Sequence, residues 1–298
     1  MKIKNLLLLF FTSLLLTSFI FAQDNDSTDT GHHKWYDWDE NSDMFNVSIH
    51  GSPTLSFNYG ISNITLKNSG DKFADPKMLE FKIGYTRENN EWDAEGIFNY
   101  NYKYLVLSYF SSELGGSSKG LEIDTKLWRA GLVKSSGYGY DLGKSAIILY
   151  NSSGMVWVRP EVQRPNILTF AAVAPNRLDD INESIRFGTT AEGGIRFEAG
   201  KIITLEAGYE RSIIFPRHLF AKWVGSAIIE DIGQSFVNRF VDEIFDSSPN
   251  VAPIVNFVLK NALSYGIYGL RQDKMNWPFN TEPGIGYDQF KFGVTFVF

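Results

Sequence analysis

The residues with chemical potential in this chain are charged side chains that recur at every second position: Glu80 and Lys82, Asp93 and Glu95, Lys103, Glu122, Asp124 and Lys126, Arg186, Glu192, Arg196, Glu206, Glu210 and Lys291. Spacing of two places such residues on one face of a β-strand. If the strands share a closed interior, carboxylates and cations meet there. They would then form a proton-transferring pair, a charged pore lining, or a salt-bridged filling with no chemistry of its own. His50, flanked by Ser48 and Ser52, is a candidate base beside a hydroxyl nucleophile. Residues two apart on a strand lie about 7 Å from each other, too far for a direct nucleophile–base hydrogen bond, so a packed interior histidine is the better reading. His32 and His33 lie together in an acidic stretch, with no third metal ligand at a useful spacing. With no cysteine in the chain, thiol catalysis, disulfides and cysteine-held metals are excluded, and no phosphate loop or other cofactor motif is present.

The elements that must position these groups announce themselves by alternation. Phe45, Val47, Ile49, Gly51, Pro53, Leu55, Phe57 and Tyr59 alternate with polar residues from Asn46 to Asn58. Further strands are predicted from Leu79, Phe81, Ile83 and Tyr85; from Trp92 through Phe98, Tyr100, Tyr102, Tyr104 and Val106; and from Leu121, Ile123, Thr125 and Leu127. After a turn around Ser135 to Gly143, Ser145 to Arg159 reads as one strand, or as two if Ser152-Ser153-Gly154 is a turn. Ile185 to Phe197, Ile203 to Ile213 and Tyr287 to Phe298 complete the set. The count is eight, or ten with the extra turn.

In the last strand Phe290, Phe292, Val294, Phe296 and Phe298 form one apolar face opposite Gln289, Lys291, Gly293 and Thr295. This stretch resembles the C-terminal assembly signal of bacterial outer-membrane β-barrel proteins, with Lys291, Gly293, Phe296 and Phe298 as the signal positions. The resemblance implies an antiparallel up-and-down barrel in the cell outer membrane, delivered by the barrel-assembly machinery and surrounded by outer-membrane lipid. Tyr100, Tyr102 and Tyr104 similarly resemble half of an aromatic girdle. Link lengths agree with a periplasmic start: short at 88 to 91, 135 to 143 and 198 to 201, long at 61 to 77, 111 to 119, 160 to 184 and 216 to 286.

The N-terminus reads as a secretory signal over residues 1–22, with Lys2 and Lys4 before the apolar run Leu6 to Phe21 and a cleavage site after Ala22. Residues 23–43 form an acidic leader, and 44–298 the barrel domain. Without Lys2 and Lys4, 26 of the 28 basic residues remain against 34 acidic ones, a formal charge of −8, which excludes a nucleic-acid partner.

From Pro216 the spacing becomes helical, and an insertion over 216–273 is predicted as an antiparallel helix pair broken at Ser247-Ser248-Pro249-Asn250. Its aromatic residues Trp223, Phe236, Phe240 and Phe245 form a candidate interaction surface for an external protein or ligand, or else rest on the barrel rim or the membrane. Three functions follow in falling order: a non-enzymatic surface or binding barrel using the external loops and the insertion, a transport barrel for small or apolar molecules, and a lipid-modifying hydrolase or acyltransferase.

Overall fold

A computed structural model describes residues 51–67, 73–89, 96–115, 122–163, 181–200 and 202–298. The predicted signal and acidic leader, Ser48, His50, Asp93 and Glu95 lie outside the described residues. Eight antiparallel strands follow one another in chain order: β1 Ser52–Leu66, β2 Lys77–Asn89, β3 Ile97–Ser111, β4 Asp124–Asp141, β5 Ser145–Gln163, β6 Arg186–Ala199, β7 Ile203–Ile214 and β8 Ile285–Val297. The sheet closes because β8 pairs with β1 over its full length, from Thr54↔Val297 to Leu66↔Ile285. Strands of 12 to 19 residues are long enough to cross a bilayer at a steep tilt. Short turns and long links alternate around the barrel, as the link lengths predict, and the β1 start and β8 end share the short-turn end.

The two faces of the sheet are inverted relative to a water-soluble barrel. Ser56, Lys82 and Thr295 are buried, while Phe57, Leu79, Leu107 and Phe292 are each about half exposed. β1, β2, β6, β7 and β8 turn inward the faces that their alternation predicts.

β3 and β4 are corrections. Tyr100, Tyr102 and Tyr104 point into the lumen and are no girdle, while Lys103 points outward. The reason is space: opposite Tyr104 stands Gly84, where any Cβ would come within 2.8 Å of the Tyr104 Cβ. In β4 the inward residues are Thr125, Leu127 and Arg129, so Asp124 and Lys126 face out, and Lys126 pairs with Glu113 at 2.7 Å. β4 also runs on through Ser135 to Asp141, where a turn is predicted. Gly137 and Gly139 are strand positions here; a Cβ on Gly139 would strike the ring of Phe98 at 2.1 Å. β5 is one unbroken strand across Ser152 to Gly154, which fixes eight strands rather than ten.

Helices α1 Phe220–Ser247 and α2 Ala252–Asp273 form the antiparallel pair between β7 and β8. Pro253 at the start of α2 lacks only a donor that the first turn leaves unused. The pair lies along the outer wall of the barrel, over β4 to β7. Near the short-turn end Phe245 packs on Tyr138 with ring centres 4.7 Å apart, and Tyr140 donates to the Asn250 carbonyl at 2.8 Å. Near the long-link end Trp223 meets Phe187 edge-on at 5.1 Å. Between these contacts Asn261 sits on Gly193, where a Cβ would lie 1.9 Å from its side-chain oxygen. This covering explains why β5 shows no clean alternation: its inner face joins an aromatic cluster, and α2 packs over its outer face.

Candidate functional site

The lumen is filled in three layers. Toward the long-link end an apolar plug includes Leu66, Met78, Phe110, Leu127, Ile214 and Tyr287. Toward the short-turn end Phe98, Tyr100, Tyr102, Tyr104 and Tyr150 form an aromatic layer. Between them lie four carboxylates and four cations, all buried: Glu80, Glu192, Glu206 and Glu210 against Lys82, Arg129, Arg196 and Lys291.

Strand register assembles this middle layer. Glu192 of β6 and Glu210 of β7 stand directly opposite each other, an arrangement that two like charges would oppose by themselves. Lys291 of β8 resolves it. Its Nζ lies 2.7 Å from Glu192, 2.6 Å from Glu210 and 3.1 Å from Glu80. Room for this comes from Gly208, opposite Lys291, where a Cβ would come within 2.4 Å of the Glu192 carboxylate. Arg129 joins Glu80 at 2.5 Å and also pairs with Glu210. Lys82 reaches Glu206 at 2.9 Å, and Arg196 lies 2.8 Å from the same carboxylate.

Neutral donors occupy further carboxylate lone pairs: Asn58 and Ser108 donate to Glu80, Tyr150 donates to Glu192 at 2.7 Å, and Ser212 donates to Glu210 at 2.9 Å. The Arg196 guanidinium also stacks at 5.0 Å over each of Tyr100, Tyr102 and Tyr150 and donates to the Tyr100 hydroxyl. Tyrosine rings therefore satisfy the charge that ordinary pairing leaves open.

Among the described residues this layer encloses a cavity of about 10 Å³, lined by Glu80, Arg129, Ser152, Thr190, Glu192 and Glu210 among others. That volume is close to the minimum for one water molecule. The Ser152 hydroxyl, which has no hydrogen-bond partner, is among the lining residues. An eight-stranded barrel is just wide enough for its own side chains, and this one is filled by them. Each carboxylate is held by at least one cation, so the eight charges form a neutral, cross-strand clamp. Among the described residues no group of histidine, aspartate or glutamate side chains could hold a metal ion.

No protein family model matches the chain. No curated protein matches it either. Among solved structures, it superposes on Neisserial surface protein A with a TM-score of 0.39 at 9% identity, covering 84% of this chain and 100% of that one. The outer membrane enzyme PagL gives a TM-score of 0.31 at 8% identity, with 80% and 97% covered. OprG from Pseudomonas aeruginosa gives 0.28 at 10% identity, with 83% and 96% covered. The fold stands on the strand pairing itself, and these likenesses assign no activity.

Of the charged residues singled out from the sequence, the structure brings together Glu80, Lys82, Glu192, Arg196, Glu206, Glu210 and Lys291. Arg186 stands apart at the long-link end, donating to the Pro216 carbonyl at 2.7 Å. Sequence reasoning misses Arg129 and the tyrosines. Trp128 is exposed while Thr125, Leu127 and Arg129 are buried, so the odd residues of β4 face inward. In the terminal strand Lys291 belongs to the clamp, a Cβ on Gly293 would overlap the Asn58 side chain, and Phe298 is exposed. The candidate surface divides: Phe245 is buried and Trp223 half-buried against the wall, while Phe236 and Phe240 are exposed.

Proposed function

We propose that the chain is an integral outer-membrane β-barrel of non-enzymatic, binding type, which acts through its outer surface, external loops and helical insertion rather than through its interior. The observation that carries this reading is the lumen filled by the described residues, whose eight buried charges balance around a cavity of about 10 Å³. Neither a solute path nor a substrate pocket fits within it. The apolar belt of β8, β1, β2 and β3, with Phe57, Leu79, Leu107 and Phe292 at its centre, supports a lipid environment. The terminal strand supports delivery by the barrel-assembly machinery, and the short-turn end is then periplasmic.

Reconstitution of the purified chain into planar bilayers and into vesicles of labelled phospholipid tests the proposal. The expected result is no steady conductance and no release or transfer of label. A reproducible open channel would replace this reading with transport, and turnover of the lipid would replace it with catalysis.

A further inference from the structure

We infer that the outward ridge of the α1–α2 pair lies in the hydrocarbon of the membrane with acyl chains as its partner, so that on the β4 to β7 side the barrel meets lipid through helices rather than strands. This rests on the outer-membrane reading above and names the partner of the insertion. Three observations carry it.

The first is height. Contacts of the pair run from Tyr138 and Tyr140 near the short-turn end to Phe187 near the long-link end, so the helices lie alongside the strand belt and not above it. At 28 residues α1 is about 42 Å long, more than an apolar band of about 25 Å requires.

The second is the wall beneath. Lys134, Ser153, Ala191 and Arg211 stand directly opposite one another on four successive strands and all face outward. Lys134, Ser153 and Arg211 make this row unsuited to acyl chains. α2 packs across these strands, with Arg211 lying 4.2 Å from the ring centre of Tyr265 and 5.7 Å from that of Tyr268.

The third is what the helices show to the outside. Ile228, Ile232, Phe236 and Phe240 recur every fourth residue along α1, Ile254 and Val258 lie on α2, and each is at least 50% exposed. This ridge continues the apolar belt around the barrel, while the charges sit mostly elsewhere. Glu230 pairs with Arg271 of α2 at 2.8 Å, and Asp242, Glu243 and Asp246 gather toward the short-turn end. Two exposed charges interrupt the ridge, Asp231 between Ile228 and Phe236 and Arg239 beside Phe240. Neither helix is long and apolar enough to cross a membrane unaided, so the wall supplies the polar half of the fit.

The absence of cysteine allows single fluorescent labels to be placed at Phe236→Cys on the ridge, Phe292→Cys on the strand belt and Asn280→Cys in the β7–β8 link. Each variant is first shown to migrate as a folded barrel, and Val258→Cys replaces Phe236→Cys if that variant does not fold. In vesicles whose acyl chains carry bromine, labels at 236 and 292 should lose fluorescence equally and resist aqueous iodide, while the label at 280 should respond only to iodide. Iodide access at 236 with bromine quenching at 292 overturns the inference and leaves the barrel reading intact. Protection of 236 from both quenchers overturns it in favour of a protein neighbour, a second copy if two labelled chains cross-link. Iodide access at 292 overturns both readings together.

Discussion

Lys291 is the residue on which the interior depends most, since three carboxylates close on one ammonium. Replacing it by methionine keeps most of the volume, leaves Glu80 and Glu210 paired with Arg129, and takes from Glu192 the cation that holds it. Removing one partner of a buried ion pair costs about 3–5 kcal/mol, so Lys291→Met should lower the temperature at which the barrel loses its compact electrophoretic form. Adding Glu192→Gln should recover part of that loss, because it removes the carboxylate that then has only the Tyr150 hydroxyl as a partner. Ionic strength should barely change either result, since buried pairs are screened far less than surface ones. Most of this site was legible as charge at alternate positions, because residues such as Glu80 and Lys82 have no comfortable place on a lipid-facing strand. Arg129 was not legible. It shares the odd face of β4 with Thr125 and Leu127, which continue from Ile123 an alternation that reads as a lipid-facing side, whereas the structure turns that face inward.

At the scale of elements, alternation identifies a strand more reliably than it identifies the strand's inner face. β3 shows why: tyrosine suits both a membrane interface and a packed lumen, so Tyr100, Tyr102 and Tyr104 are ambiguous until Gly84 and Arg196 are known to be beside them. The helix pair was legible as amphipathic, but its place on the wall was not, because nothing in a local pattern reveals that Gly193 leaves room for Asn261. Gly193→Phe should therefore lift α2 from the barrel and, because the two helices pack as a pair, draw α1 away with it. The readout is loss of disulfide formation between cysteines placed at Tyr138 and Phe245, whose rings are in contact in the parent. Asp231 yields a second prediction. Exposed Ile, Val and Phe residues each favour hydrocarbon by about 0.3–0.6 kcal/mol, whereas an aspartate at mid-depth opposes it by about 2.5–3.5 kcal/mol. The ridge offsets about as much as Asp231 costs, Arg239 beside Phe240 adds a further cost unless its head reaches the interface, and wall packing decides the outcome. Asp231→Leu should slow hydrogen exchange across α1 in vesicles, by up to about 3 kcal/mol of added protection. On a water-facing helix the same change would stay within about 0.5 kcal/mol.

The barrel is a cylinder filled with its own side chains, and that should make it resistant to partial opening. Every strand of the closed sheet has two partners, so unheated and boiled samples should migrate differently in detergent gels. Identical migration would contradict the closed barrel. The closure also sets an order of events in time. Thr54 and Val297 are neighbours in space although nearly the whole barrel sequence lies between them, and the same pairing supplies Lys291 to carboxylates from β2, β6 and β7. Until β8 arrives, β1 and β7 present unpaired edges and Glu192 faces Glu210 without its bridging cation. The last strand to be synthesised is therefore both seam and counterion, and a chain waiting for it must be kept from pairing its two free edges with anything else.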